Sequence, residues 1–459
     1  MNKQDLMRKR NDAMRTIRYS NKIGSHRNCF TGDMTILTLD GWKRFDEIAD
    51  CEVVATRSNF GFLEYHKINK LIVKPYSGNL LWYDGVNKNF MCTPNHDFLD
   101  VENGKIKKFR LSDLIARKQH FNSPLLARWN GNKLDITLDG EYNIVKNHVV
   151  GFIKKYKRPN VHIKAETFAK LLALYLAEGN LKNYKYTKGI EIAACKPEVR
   201  IEIKEIIREA GFNPSPSKNT IVVYSKELLT YFKQYGKAHQ KYIPRWLKNQ
   251  PTEIINYFLE VYLKCDGCYY KDSKSKTYSK KFYTVSKQLA EGLQELIIKT
   301  GKCATIRVTK RHKMIIKGKS CNARDIYSIY VRKSKTTTFI SELWKEKFFE
   351  GNVYCVNVKN NTILVNKNNP FWTGNCIRIN VANSLEHEIT KLRICYDLIK
   401  EGKEVFTEAI FDNGSRADIL VLDDYKIIEV LCSEGEGACL EKSKKYPELF
   451  ELEMVKVNK

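Results

Sequence analysis

Residues 161–345 contain the same order of helices and strands twice, and this repeat constrains the fold more than any other feature. The first copy contains the helical run LLALYLAEG and the second contains LEVYLKCDG; in both copies strand-like segments and another helix follow. The acids Glu178 and Asp266 stand 88 positions apart, and the helix-ending glycines Gly211 and Gly301 stand 90 apart. Two copies are too few for a solenoid, so we predict a pseudo-symmetric pair of α/β units that share one interface.

Each of the two repeated helices ends in an acid followed by glycine. The small residues Ala173 and Ala177, four positions apart, predict close helix packing that brings Glu178 and Asp266 together. Two carboxylates so placed repel each other unless a divalent cation lies between them, an arrangement suited to phosphodiester hydrolysis. If either helix is considered alone, its terminal acid is better interpreted as a surface residue of an amphipathic helix than as a metal ligand. The repeat and the charge of the region reverse that preference.

The charge is unevenly distributed along the 459 residues. The whole chain carries a net charge of +27, whereas residues 376–459 carry a net charge of −5. Residues 161–345 hold 36 basic and 16 acidic residues, a net charge of +20. Such a region favours a polyanionic partner. On charge alone, a solvated lysine-rich surface is a fair rival interpretation.

The apolar runs and the cysteines indicate the cellular compartment in which the protein works. The longest clean apolar run, LLALYLA, is far shorter than a membrane span, and the charged N-terminus has no apolar segment behind it. The thirteen cysteines are scattered and odd in number, which favours reduced thiols over a disulfide framework. We therefore expect a cytoplasmic protein without a membrane partner.

Residues 161–345 resemble the LAGLIDADG homing endonucleases, specifically the two-motif, single-chain kind found inside inteins. The runs LLALYLAEG and LEVYLKCDG stand where the two motifs of that family belong. The resemblance implies a monomer that cleaves double-stranded DNA, with Glu178 and Asp266 binding Mg²⁺ or another divalent cation. The segment HQKYIPRWL resembles the block between the motifs and makes Lys241 a candidate basic residue of the active site.

An Asn–Cys pair stands on each side of this region, at Asn28–Cys29 and at Asn375–Cys376. The thiol of Cys29 can attack the carbonyl of Asn28 and turn that amide into a thioester, provided that the thiol is activated. The side-chain amide of Asn375 can attack its own carbonyl and cut the bond to Cys376. Cys376 is itself a thiol that can accept an acyl group.

The segment CTPNHDF places Thr93 and His96 three residues apart at the junction of a strand and a turn. There His96 can protonate the leaving nitrogen as a general acid, with Thr93 orienting the group. A single Thr-x-x-His is weak on its own, because a lone histidine is more often structural.

Four segments, CFTGDMTILTLDGW, TPNHDFL, VYCVNVKNNTILVNKN and WTGNC, together resemble the sequence blocks of an intein, in the same order. The resemblance implies that residues 29–150 and 350–375 form an all-β Hint (hedgehog/intein) horseshoe. By the same resemblance, residues 161–345 would be the endonuclease inserted into it, and residues 1–28 and 376–459 would be the flanking N-extein and C-extein.

The intein resemblance implies four steps. Cys29 forms a thioester, Cys376 attacks it, Asn375 cyclises, and an S-to-N shift joins Asn28 to Cys376. Two positions depart from the family pattern: Gly374 replaces the usual His before the terminal Asn, and Cys355 stands where the family often has Asp.

The flanking residues 1–28 and 376–459, once joined, are expected to form a small α/β domain. Its helix LEHEITKLRICYDLIKEG should stop at Gly402 and present one apolar face, formed by Leu385, Ile389, Leu392, Tyr396 and Ile399. The domain resembles the PD-(D/E)xK nuclease-like fold, with its acids at Glu388, Asp418 and Glu429. The position of that family's lysine is Leu431, so a nuclease and a non-catalytic acidic domain both stay open.

These resemblances predict a multidomain chain with an all-β Hint horseshoe, an inserted α+β LAGLIDADG endonuclease of two pseudo-symmetric halves, and a small α/β host domain. The predicted function is a self-splicing precursor whose intein is a site-specific, metal-dependent DNA endonuclease. One alternative is a cleavage-only Hint protein, which Cys376 argues against. The other is a non-catalytic DNA-binding protein with a decayed endonuclease.

Overall fold

The chain divides into two compact units, of which the larger spans Asn28–Cys376 and the smaller combines Met1–Arg27 with Ile377–Lys459. No helix in the described part of the chain is long and apolar enough to cross a membrane. The structure, a computed structural model, describes residues 12–13, 16–22, 29–58, 60–85, 88–102, 105–118, 120–147, 152–184, 187–194, 197–271, 278–311, 313–316, 319–322, 324–332, 334–367, 369–374, 384–403, 405–432, 437, 441 and 444–457.

The regular elements follow the chain in five groups. Before the larger unit lies β1 (Ile17–Lys22). Residues 29–147 form β2 (Phe30–Thr31), β3 (Thr35–Thr38), β4 (Gly41–Arg44), β5 (Val53–Arg57), β6 (Leu63–Lys67), β7 (Lys70–Gly85), β8 (Lys88–Cys92), β9 (Asp97–Glu102), β10 (Lys105–Arg110), α1 (Leu111–Ala116), β11 (Phe121–Pro124), β12 (Ile136–Leu138) and β13 (Tyr142–Asn147). Residues 152–332 form β14 (Phe152–Lys157), β15 (Val161–Ile163), α2 (Ala165–Glu178), β16 (Gly179–Asn183), β17 (Lys188–Ala193), α3 (Pro197–Glu209), β18 (Pro214–Pro216), β19 (Thr220–Val223), α4 (Lys226–Phe232), α5 (Arg245–Lys248), α6 (Thr252–Asp266), β20 (Gly267–Lys271), β21 (Tyr278–Thr284), α7 (Lys287–Lys299), β22 (Cys303–Thr309), β23 (Lys313–Ile316), β24 (Lys319–Asn322) and β25 (Ile326–Arg332). Residues 336–374 form β26 (Thr336–Phe339), β27 (Trp344–Asn357), β28 (Thr362–Lys367) and β29 (Asn369–Gly374), and residues 385–456 form α8 (Leu385–Lys400), β30 (Val405–Phe411), β31 (Arg416–Val421), β32 (Lys426–Leu431) and β33 (Glu451–Lys456).

The segments on either side of the repeat interleave in one β-rich body. In its eight-stranded sheet, β28 and β29 lie between β3 and β9 in the order β10–β9–β29–β28–β3–β5–β6, with β4 paired to β3. The strands β2, β27, β7 and β8 close into a ring. An aromatic core fills this body, with Phe98 and Phe371 stacked at 5.6 Å between ring centroids. The strands on both sides of the repeat therefore depend on each other for their pairing.

The repeat predicted from the sequence is confirmed by matching sheet orders in the two halves. The first half has the order β16–β17–β19–β18, and the second has β20–β21–β25–β22, so the first, second, fourth and third strands lie side by side in both. The helices α2 and α6 pack against each other. One hydrophobic cluster contains buried residues from both halves, among them Ala173 and Val261. Glu260, the neighbour of Val261, is exposed and lies outside this packed interface.

The smaller unit is built from both ends of the chain. Its five-stranded sheet has the order β1–β30–β31–β32–β33, antiparallel except for the parallel pair β32–β33. In the register of β1 and β30, Ile17 lies opposite Phe411 and Lys22 opposite Phe406. A strand that precedes the larger unit therefore forms the edge of a sheet that follows it.

The helix α8 corrects one expectation from the sequence. It ends before Gly402, as predicted, because that glycine takes a φ of +80°. The predicted apolar face is instead turned outward, since Leu392 is 62% and Tyr396 66% exposed, and Leu385 and Ile389 are exposed too; the side chain of Ile399 lies outside the described part. The sheet is covered by another face of α8, on which Cys395 is buried.

Candidate functional site

Cys29 lies just before β2 and is hydrogen-bonded to the turn after β8. It is 1% exposed. Its backbone N–H donates to Oγ1 of Thr93 over 3.2 Å, and the N–H of Thr93 donates to the carbonyl of Cys29 over 3.0 Å. The nitrogen of Cys29 belongs to the Asn28–Cys29 peptide bond, so Thr93 orients the nitrogen of that bond.

The ring of His96 is oriented by Thr373, which sequence reasoning missed. The Nε2 atom of His96 lies 2.7 Å from Oγ1 of Thr373, and that hydroxyl donates its single proton to the carbonyl of Asp97 over 3.0 Å. The hydroxyl must therefore accept from Nε2–H, which leaves Nδ1 of a neutral His96 without a proton. A signal was available, because Thr373 stands two positions before Asn375 in the segment WTGNC.

The environment of His96 keeps its ring neutral. Burial lowers the pKa of His96 to about 3; the charge of Lys108 lowers it further, and the backbone of Cys29 opposes the shift. At ordinary hydrogen-bond geometry Nδ1 has no partner among the described residues, although the backbone of Cys29 lies near enough to the ring to raise its pKa. A neutral ring with a bare Nδ1 beside Cys29 can accept a proton before it donates one.

The strand β29 leads toward the second predicted bond. Thr373 pairs with Phe98, and Gly374 is the last described residue before that bond. A Cβ atom at residue 374 would lie 2.8 Å from Cβ of Asp97 and 2.9 Å from its carbonyl oxygen. This crowding explains why glycine stands here instead of histidine. Asn28, Asn375 and Cys376 lie outside the described residues.

The two acids of the repeat lie at equivalent positions, each as the last residue of its helix. Glu178 ends α2 and Asp266 ends α6. Burial, and then the charge of Glu178, raise the pKa of Asp266 to about 6. The structure therefore brings the two predicted metal-binding acids close enough for the charge of Glu178 to raise the pKa of Asp266.

Lys241 is a buried cation beside these acids. Its Nζ donates to the carbonyl of Tyr175 over 2.7 Å and to that of Gly179 over 2.8 Å, so it holds the C-terminal turn of α2. Burial lowers the pKa of Lys241 to about 8, while the charges of Asp266 and Glu178 oppose that shift. The lysine predicted from the block between the motifs thus lies where it can respond to both acids.

The three predicted acids of the smaller unit also meet, through residues that sequence reasoning did not select. Nε2 of His387 lies 3.2 Å from Oδ2 of Asp418, and its Nδ1 lies 3.6 Å from Oε1 of Glu388. The N–H of Asp418 donates to Oε1 of Glu429 over 3.1 Å. Lys391 donates to Glu388 over 2.7 Å, and both of these side chains are buried. This network forms a compact buried cluster of acids and bases.

A family model matches part of the repeat. Residues 253–341 match the LAGLIDADG-like domain. The matched segment is similar to that family. It contains Asp266 and the whole of the second half's sheet.

Curated relatives match longer parts of the chain at low identity. The chain is 23% identical over 405 residues to the DNA-directed RNA polymerase subunit beta C-terminal section of Stigeoclonium helveticum, covering 76% of this chain and 36% of that protein. It is 25% identical over 429 residues to the ribonucleoside-diphosphate reductase subunit beta of Aquifex aeolicus, covering 88% of this chain and 56% of that protein. It is 20% identical over 303 residues to the ATP-dependent Clp protease proteolytic subunit of Chlamydomonas moewusii, covering 61% and 28%. The chain therefore spans less than two thirds of each of these relatives.

Two solved structures each match a part of the chain. A structure of I-DmoI in complex with DNA and Mn is 15% identical with a TM-score of 0.26, covering 37% of this chain and 90% of that one. A splice-inactive variant of the AceL NrdHF class 3 split intein is 16% identical with a TM-score of 0.18, covering 30% and 78%. These TM-scores are too low to establish a shared fold.

The donor set beside the LAGLIDADG-like domain suits a hard cation held by few protein ligands. Among the described residues, no group of three or more His, Cys, Asp or Glu side chains is arranged to hold a metal ion. Glu178 and Asp266 offer a carboxylate pair, and Mg²⁺ commonly takes one or two carboxylates, with water and phosphate oxygens as its other ligands. Burial, with the charges of both acids, raises the pKa of Cys265 to about 12, so this thiol stays protonated and is a poor metal ligand.

Proposed function

We propose that the chain is a precursor that excises residues 29–375 by protein splicing and joins Asn28 to Cys376. The observation that carries this proposal is the division into units. The segments before and after the larger unit form one sheet through β1 and β30. An insert that removes itself has to leave flanks able to form a domain together. The borders of the larger unit, Asn28 and Cys376, fall within one residue of the two predicted insert ends.

The first step uses the neutral ring of His96. Cys29 gives its thiol proton to Nδ1, and the thiolate attacks the carbonyl carbon of Asn28. His96 then gives the proton to the nitrogen of Cys29, which Thr93 orients, and the C–N bond breaks to leave a thioester. The support for this role is the tautomer that Thr373 imposes on His96 and the position of the ring beside the Cys29 backbone.

The later steps use the residues after β29. The thiol of Cys376 attacks the thioester carbon and releases the sulfur of Cys29. The side-chain nitrogen of Asn375 attacks its own carbonyl carbon, which frees the amino group of Cys376 and forms a succinimide. That amino group attacks the new thioester, so a peptide bond joins Asn28 to Cys376.

We propose further that the inserted region is a site-specific endonuclease that cuts double-stranded DNA. Glu178 and Asp266 would hold a divalent cation, which would stabilise the attacking and leaving oxygens of the phosphodiester. Lys241 would position the end of α2 and add positive charge near the phosphate. The net charge of +20 over residues 161–345 favours binding to the DNA backbone. The curated relatives carry the names of unrelated proteins, as expected for an element inserted into different host genes.

The smaller unit would be the host domain, and its activity stays a prediction. The buried network that links Glu388, Asp418 and Glu429 favours the PD-(D/E)xK nuclease-like interpretation. Leu431 leaves the usual lysine position apolar, so a non-catalytic acidic domain fits as well. Action as a monomer, in the cytoplasm, also stays a prediction.

Mass spectrometry of the expressed full-length chain tests the splicing proposal. We expect a joined product of 112 residues and an excised chain of 347 residues. Cys29→Ala and Asn375→Ala should each abolish the joined product, whereas Cys51→Ala, at an exposed cysteine, should splice like the unchanged chain. An unchanged chain that stays intact would overturn the proposal, and separate flanking fragments without joining would indicate a cleavage-only protein.

A further inference from the structure

Cys355 is a buried thiol that the splicing steps do not use. It is 0% exposed and shares a small buried cluster with Cys29, Leu80 and Val353. The sulfur of Cys355 contacts the carbonyl of Val356 over 3.6 Å, and both cysteines are reduced in the structure. The nucleophile of the proposed reaction therefore lies in the same apolar cluster as a second thiol.

The register of β2 and β27, continued by one residue, sets these two cysteines opposite each other. The strands β2 and β27 are antiparallel, with Phe30 opposite Tyr354 and Thr31 opposite Val353. One further step along this register brings Cys29 opposite Cys355. Directly opposite residues of an antiparallel pair project their side chains to the same face, which agrees with the shared cluster.

The backbone spacing of Cys29 and Cys355 suits a disulfide. The N–H and the carbonyl of Cys29 are both bonded to Thr93, in the turn after β8. Directly opposite residues of an antiparallel pair have Cα atoms about 4.5 to 5.5 Å apart, whichever kind of pair they form. A disulfide requires Cα atoms about 4.4 to 6.8 Å apart. The backbone thus already holds the two cysteines within bonding range.

Cys92 is also near Cys29 but lies on the other face of the strands. It stands opposite Phe30 in the pairing of β2 with β8, and neighbouring residues of a strand point to opposite faces. Burial raises the pKa of the Cys92 thiol well above its ordinary value, and the charge of Cys29 adds to this shift. Cys92 is therefore a matched control with similar burial and the wrong orientation.

We propose that Cys29 and Cys355 are a site of oxidative modification, at which a small peroxide forms a disulfide that blocks splicing until it is reduced. One thiol takes an oxygen atom from hydrogen peroxide to give a sulfenic acid and water. The other thiol then displaces the hydroxyl group as a second water and forms the S–S bond. A small, uncharged oxidant is required because neither sulfur is exposed. An oxidised Cys29 cannot attack Asn28, so the block on splicing rests on the proposed function. Formation of the disulfide does not depend on that function.

The test uses the full-length chain with Asn375→Ala and Cys376→Ala, so that only the thioester step can occur. The protein is treated with hydrogen peroxide, its remaining thiols are alkylated, and its unreduced peptides are analysed by mass spectrometry. Hydroxylamine, which cleaves thioesters, then reports how much Cys29 thioester forms. We expect a Cys29–Cys355 peptide, and a fall of at least about tenfold in cleavage before Cys29 that a phosphine reductant reverses.

Variants separate this site from general oxidation. Cys355→Ala and Cys355→Ser should each lose the effect of peroxide when compared with their own untreated samples. Cys92→Ala should keep the effect. A Cys29–Cys92 peptide, the absence of any linked peptide, or full peroxide sensitivity in both Cys355 variants would overturn the proposal. If the Cys29–Cys355 peptide forms but the reduced chain gives no cleavage with hydroxylamine, the oxidation site stands and the thioester chemistry fails.

Discussion

In the folded chain, Nε2 of His96 donates to the hydroxyl of Thr373, 277 positions away, over 2.7 Å. The turn that carries His96 is hydrogen-bonded through Thr93 to the backbone of Cys29. Thr373 stands two positions before Asn375 on the strand that leads to the second predicted bond. One imidazole therefore connects the start of the larger unit with the strand that approaches its end.

Thr373→Val should slow thioester formation at Cys29 without unfolding the β-body. Valine has nearly the same shape but cannot accept from Nε2–H, so His96 loses the tautomer that leaves Nδ1 bare. We expect hydroxylamine cleavage before Cys29 to slow by at least about tenfold. Thr337→Val is the matched control, because Thr337 is 0% exposed and its hydroxyl has no hydrogen-bond partner in the structure. Equal rates in the two variants would contradict the role given to Thr373.

The buried His96 should make the larger unit less stable in acid. The pKa of His96 is about 3 in the folded chain, whereas the pKa of a histidine in an unfolded chain is about 6.5. Between these values the unfolded chain binds a proton that the folded chain does not, so the free energy of unfolding falls as the pH falls. The contribution is at most about 1.4 kcal/mol per pH unit below about pH 6.5.

Urea unfolding of the Cys29→Ala chain across this pH range measures the effect. His96→Gln, added to that background, should remove this part of the pH dependence while leaving the contributions of other groups. An identical dependence with and without His96 would show that the ring is not held neutral by the fold.

Gly374→His, which restores the residue usual in the intein family, should reduce splicing rather than improve it. A Cβ atom here would lie within 2.9 Å of the backbone oxygen of Asp97, so strand β29 would have to move away from β9. Overpacking of this kind costs about 1–3 kcal/mol. We expect less of the joined product by mass spectrometry for Gly374→His, and a smaller reduction for Gly374→Ala. Faster splicing of the histidine variant would mean that the strand adapts at little cost.

The acids at the ends of α2 and α6 should be required for DNA cleavage. Glu178→Gln and Asp266→Asn should each abolish Mg²⁺-dependent cutting of DNA that carries the uninterrupted host gene. Asp266→Asn should also raise stability near neutral pH, because it removes a buried charge whose pKa is raised to about 6. Glu260→Gln, an exposed acid on the same helix, should cut DNA like the unchanged chain. If the unchanged chain and all three variants fail to cut but still bind DNA, the endonuclease has decayed.

The sequence predicted the parts of this fold that depend on local pattern and repetition. The duplicated sheets, the acids at the ends of α2 and α6, and the Thr93–His96 turn all follow from spacing along the chain. The position of Thr373 near Asn375 is a signal in the sequence, but its bond to His96 depends on β29 pairing with β9, and no local pattern encodes that contact. The same holds for the pairing of β1 with β30, which joins segments almost 390 positions apart.

The helix α8 shows where periodicity alone misleads. Its apolar residues recur at helical spacing, yet the face that covers the sheet carries Glu388 and Lys391. These two residues can be buried because they bond to each other over 2.7 Å, which offsets part of the cost of removing their charges from water. A pattern that counts only apolar residues assigns such a paired face to solvent.

Substitutions on α8 test this orientation. Because Leu392 is 62% exposed, Leu392→Lys should change the free energy of unfolding by no more than about 0.5 kcal/mol. Cys395 is 1% exposed within the core of the smaller unit, so Cys395→Lys should destabilise that unit by several-fold more, because it buries an unpaired charge. Urea unfolding of the full-length chain, followed by hydrogen exchange of the amides in β30 to β32, measures both effects. If Leu392→Lys proved the more damaging change, the outward face of α8 would have to be covered in solution.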